Sequence, residues 1–73
     1  MLHNHTPTNA PEQGKIYECI LNNTSLYKAR IENVNGCWAT ITIVETLPSP
    51  HQNHYKIGQQ FDIRVSMYKF ISV

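Results

Sequence analysis

The sequence predicts an all-β chain folded as a small five-stranded barrel, OB-like or, as the alternative, SH3-like. Three observations carry that expectation. Apolar and polar residues alternate with period two over several segments, clusters of Asn, Gly and Pro separate those segments, and no stretch repeats apolar residues at helical spacing. Closing the strands into a barrel removes the unpaired edges that an open sheet would leave.

The elements follow in order. Residues 1–13 are rich in Asn, His, Thr and Pro, with Leu2 and Ala10 the apolar side chains after Met1, so they are expected to form a flexible tail ahead of a domain spanning residues 14–73. Lys15 to Leu21 reads as a strand that ends in the polar turn cluster Asn22-Asn23-Thr24-Ser25. Leu26 to Asn33 alternates, with Tyr27, Ala29 and Ile31 on one side and Lys28, Arg30 and Glu32 on the other. Cys37 to Glu45 alternates too, with Cys37, Ala39, Ile41 and Ile43 opposed to Trp38, Thr40, Thr42 and Val44. Thr46 to His54 carries Pro48 and Pro50 and reads as a loop. Phe61 to Val65 alternates again, the phase changes near Ser66-Met67, and Tyr68 to Val73 supplies the last strand.

Asn35-Gly36 marks a hairpin between the second and third strands. A two-residue Asn35-Gly36 turn would pair Ile41 with Arg30, mixing apolar and charged side chains on one face. A three-residue loop, Val34-Asn35-Gly36 with a left-handed Gly36, pairs Ile31 with Ala39, Ala29 with Ile41 and Tyr27 with Ile43. A one-residue slip moves every side chain to the opposite face, so burial selects the second register. It leaves Trp38 on the solvent side beside Glu32, with Arg30 diagonal to it.

Composition bounds the function. At 73 residues the chain makes one thin-cored domain, which favours a binding module over an enzyme. No Ser has an arranged base, and the chain holds no Gly-rich phosphate loop and no His-Glu-x-x-His, so no catalytic activity, cofactor or small-molecule substrate is expected. The formal net charge of +1 argues against a polybasic mode of nucleic-acid binding and leaves room for a local basic stripe. No apolar run reaches membrane-spanning length and the amino end lacks the apolar core of a secretory signal, so the expected place is the cytoplasm, with no membrane partner. The glycosylation patterns Asn4-His5-Thr6 and Asn22-Asn23-Thr24 then carry no meaning. In a reducing compartment Cys19 and Cys37 read as two small buried thiols, with a disulfide or a zinc site involving His51-x-x-His54 as the lesser readings. Met1-Leu2-His3 could chelate copper or nickel adventitiously through its amine, amides and imidazole, and no metal function is assigned.

Two stretches resemble the S-one-type RNA-binding domain, an OB-fold module. Gly14-Lys15-Ile16-Tyr17-Glu18, followed by Ile20, is similar to that family's glycine-led first strand. Tyr55-x-Ile57-Gly58-Gln59-x-Phe61-x-Ile63-x-Val65 is similar to its fourth-strand entry. The resemblance implies an OB-like barrel that binds RNA. The middle of the chain departs from it: Asn35-Gly36-Cys37-Trp38 and Leu47-Pro48-Ser49-Pro50 stand where the family has a glycine-aromatic pair and a His-x-Ser loop, so no RNA-contacting residue is carried over.

Trp38 heads the candidate site. Bases stack on exposed aromatics, and tryptophan is enriched at protein hot spots; the structural alternative is an indole folded over Val44 and Leu47. Lys28, Arg30, Lys56, Arg64 and Lys69 are candidates for a basic stripe, with Glu32 and Asp62 interrupting it. The expected binding face is therefore Trp38, Lys28, Arg30 and Thr40, with Lys56 and Arg64 as phosphate contacts. Its expected occupant is RNA or another single-stranded nucleic acid. The alternative is a protein partner, met by an accessory subunit or small inhibitor that binds no nucleic acid.

Overall fold

The computed structural model describes residues 8–48 and 52–73. Its strands are β1 (Ile16–Leu21), β2 (Thr24–Asn35), β3 (Trp38–Thr46), β4 (Gln60–Arg64) and β5 (Tyr68–Ser72), with 3-10 turns at Gln52–His54 and Val65–Met67. All ladders are antiparallel, in the order β4-β3-β2-β1-β5. The all-β class and five strands agree with the sequence expectation. The sheet is open, because no ladder joins β4 to β5.

Local chemistry explains each junction. Asn22 and Asn23 have φ of 52° and 64°, the two left-handed positions that a tight two-residue hairpin between β1 and β2 requires, and asparagine tolerates them. A shift between Cys19 and Ile20 follows, so β2 carries an extra residue opposite β1. That bulge lets neighbours Leu26 and Tyr27 both turn inward, at 1% and 0% exposure. The 3-10 turn at Val65–Met67 is the expected change of phase.

The central hairpin corrects the sequence register. Asn35 pairs with Trp38, so the tight loop is Gly36-Cys37 with Gly36 at φ 63°. The ladder then shifts between Ile31 and Asn33, where Glu32 is the extra residue, and again between Lys28 and Ala29. Ile31 consequently faces Ile41 and Ala29 faces Ile43, two residues away from the expected partners. A slip of two preserves which side each residue faces. Tyr27, Ala29, Ile31, Ala39, Ile41 and Ile43 are all buried, as the alternation predicts.

The rest of the core comes from Tyr17 and Cys19 on β1, Ile63 on β4 and Phe70 on β5. Tyr27 meets Tyr55 edge to face at 4.8 Å between centroids, and Tyr17 meets Phe70 at 5.8 Å. Such pairs add to the area they bury. Within the segment expected as a tail, Thr8 bridges Phe70 by two backbone hydrogen bonds of 2.8 and 2.9 Å, and Pro11 is buried. Met1, Leu2 and His3 lie outside the described residues, as does His51 of the possible zinc pair.

The cysteine expectation is corrected in part. Both thiols are free, Cys19 lies in the core and Cys37 is exposed in the hairpin turn. The register shift puts Cys37 in the loop, away from any inward position. Burial, with Glu18 beside it, pushes the Cys19 thiol up to about 12.

Candidate binding face

The outward side of β2, β3 and β4 is a polar lattice built on cross-strand rows. One row sets Arg30 against Thr42 and Thr42 against Gln60. The next sets Asn33, Thr40 and Asp62 side by side, and the last sets Asn35, Trp38 and Arg64. Side-chain hydrogen bonds run along the first two rows. Glu32 accepts from Arg30 Nε at 2.9 Å and from Thr42 Oγ1 at 2.7 Å, and Gln60 Nε2 donates to Thr42 Oγ1 at 3.1 Å. Thr40 Oγ1 donates to Asp62 Oδ1 at 2.6 Å. The two donors, Thr42 first and Arg30 second, hold the Glu32 carboxyl below the usual carboxylate range.

Trp38 is 45% exposed, so the outward indole expected from the sequence is present. Its neighbours differ from the expected Glu32 and Arg30. Asn35 and Arg64 stand opposite it, and the Arg64 guanidinium lies over the ring at 5.2 Å from the centroid. The extra residue at Glu32 adds to the two-residue shift, so the β2 residue opposite Trp38 moves by three, from Glu32 to Asn35, and Arg64 is supplied by β4. Asn33, Asn35, Trp38, Thr40 and Asp62 line an open concavity of about 460 Å³.

The expected site residues therefore fall into three places. Trp38 and Thr40 line the concavity, and Arg64 lies over the Trp38 ring beside it. Arg30 is one row away, bound to Glu32 at 2.8 Å, and Lys28 is further along β2, 3.6 Å from Glu45. Lys56 sits in the turn before β4, where its backbone N–H donates to Gln59 Oε1 at 3.1 Å. Lys69 is on β5, across the sheet, and lines a second concavity with Asn22, Asn23 and Met67. The expected basic stripe is thus split, and carboxylates separate its members. Asn33 and Asn35 are lining residues that the sequence did not place on the face, and Asp62 was expected there only as a charge interrupting the basic stripe.

Among known proteins, no family model, no curated protein and no solved structure matches this chain. The site is therefore read from its own geometry. Among the described residues no three His, Cys, Asp or Glu side chains gather as metal ligands, and no helix is long and apolar enough to cross a membrane. What the concavity offers is an indole face, two amides that both donate and accept, a hydroxyl and a carboxylate, with a guanidinium at the rim.

Proposed function

We propose that the chain is a protein-interaction module that holds a partner polypeptide at the Trp38 concavity. The observation that supports this most is the alternation of charge on the outer face. Lys28 is answered by Glu45, Arg30 by Glu32, and Arg64 stands two residues from Asp62 on the same side of β4. A nucleic-acid backbone needs cations that are not already matched, because phosphate neutralisation supplies most of its affinity. A mixed-charge rim around an exposed tryptophan suits a polypeptide, for which aromatic and Arg anchors dominate the binding energy. The strand order supports the SH3-like alternative for the fold: β1 to β4 run as an uninterrupted meander, and β5 returns to β1 after one 3-10 turn.

The OB-like, RNA-binding reading rests on the S-one resemblance and on Trp38 as a stacking platform. One titration separates the two. Trp38 is the chain's single tryptophan, so its fluorescence reports occupancy directly. Single-stranded oligonucleotides at low salt are expected to leave the emission unchanged. A protein recovered on the wild-type chain after nuclease treatment, and lost from a Trp38→Ala chain, is expected to shift it, and calorimetry on the variant, which has no tryptophan of its own, is expected to show affinity lower by at least about tenfold. Saturable quenching by an oligonucleotide that weakens steeply with salt would replace this proposal with the nucleic-acid one.

A further inference from the structure

Strand β4 is bonded on one side only: β3 is its neighbour, and among the described residues it has no second one. The Val65 N–H donates to the Cys37 carbonyl at 2.8 Å and the Ile43 N–H to the Gln59 carbonyl at 2.9 Å. In an antiparallel ladder bonded pairs alternate with non-bonded ones, so Phe61 and Ile63 bond to β3. The N–H and C=O groups of Gln60, Asp62 and Arg64 then point away from the sheet, and their side chains are exposed. The opposite end is different, since Thr8 and Phe70 exchange both backbone hydrogen bonds and cover part of β5.

Charged residues on an edge strand usually repel a second strand. Here the two charges have opposite sign and stand two residues apart, and neither Asp62 nor Arg64 has an ion pair among the described residues. We infer that a second copy of this chain adds to β4, antiparallel, with Asp62 opposite the partner's Arg64. A two-fold axis through Ile63, perpendicular to the sheet, generates this register. It pairs Asp62 with Arg64 twice and brings outward-pointing backbone groups face to face in both pairs. Centring the axis on Asp62 would set two carboxylates against each other, which cross-strand pairing disfavours. Centring it on Phe61 would leave Arg64 with no residue opposite it inside the strand. Charge therefore selects one register out of three. Because such an axis keeps the outer faces on the same side, both Trp38 concavities come to lie on one continuous ten-stranded surface. The inference is independent of what the concavity binds.

Sedimentation of the wild-type chain from micromolar to millimolar concentration is expected to show the mass rising towards that of two chains. Asp62→Arg and Arg64→Asp, each checked for an unchanged circular dichroism spectrum, are expected to raise the dissociation constant about tenfold or more, since each reversal opposes like charges in both pairs. An equimolar mixture of the two reversals restores the pairing, and so does the double variant D62R/R64D. In the wild-type chain the amides of Asp62 and Arg64 should gain exchange protection with concentration, while those of Phe61 and Ile63 stay constant. A single-chain mass at every concentration, with no such protection, overturns the inference and leaves the edge to a foreign strand or to none. A dimer indifferent to both reversals also overturns it.

Discussion

Tyr27 combines full burial with a hydroxyl that makes no hydrogen bond of good geometry among the described residues, although the Tyr68 phenol lies near enough to act on it. Its ring is well used, packing edge to face on Tyr55 and Phe61. Burial, and after it the neighbouring Tyr68 phenol, push its ionisation far above the ordinary tyrosine value. A buried polar group without a partner costs about 1–3 kcal/mol, whereas the volume of one hydroxyl is small. Tyr27→Phe should therefore stabilise the fold by about 1 kcal/mol, seen as a higher urea midpoint with an unchanged slope. A loss of stability of that size would mean that the hydroxyl is bonded to Tyr68 in solution. Trp38 poses the opposite case, since it is large, apolar and only half covered, and no demand of the core explains where it sits. Both tyrosine and tryptophan were legible as core-facing and solvent-facing from alternation alone. Their polar partners were not, because those depend on which residue stands opposite.

At the level of the element, the β2–β3 hairpin shows what alternation can and cannot fix. Period two assigns each residue to a side, and the inward set from Tyr27 to Ile43 is buried except for Cys37, which falls in the turn. It is blind to a slip of two, which leaves every residue on its side, and from Ala29 to Ile31 the actual register differs from the expected one by that amount, and by three beyond the bulges. What decides the register is the extra residue at Glu32, together with a turn that uses Gly36-Cys37. Nothing in the apolar pattern marks a bulge at a charged position. The bulge aims the Glu32 carboxylate at Arg30 and Thr42, and that geometry has a measurable acid dependence. Because its folded-state pKa is lowered, the group's contribution to stability is complete above the unfolded value of about 4.3 and is lost as pH falls through the lower folded value. Glu32→Gln should therefore narrow its stability deficit relative to wild type as pH falls below about 4.3. Urea unfolding at a series of pH values measures this, and added salt should shrink the neutral-pH difference, because the group is exposed. A deficit constant from neutral to strongly acid pH would remove the carboxylate from the account.

The whole molecule has the geometry of a linear sheet with two unlike ends. A chain of 73 residues has little core to spare, and composition reads its first thirteen residues as too polar to join it. Composition averages over the segment, however, and three of its residues act individually. Thr8 supplies a backbone donor and acceptor to Phe70, and Pro11 is buried, while Glu12 donates its N–H to the Tyr17 hydroxyl at 2.9 Å. Such contacts leave no trace in hydropathy. They give a definite expectation for a chain that starts at Gly14. Losing the two bonds to Phe70 should cost about 1–3 kcal/mol, read as a lower urea midpoint. The shortened chain would also carry an open edge at β5 as well as at β4, and two open edges allow strands to add without closing. Light scattering should then report species growing beyond two chains as concentration rises, where the full chain stops at two. An unchanged midpoint and an unchanged size distribution would show that the segment lies on β5 without holding it.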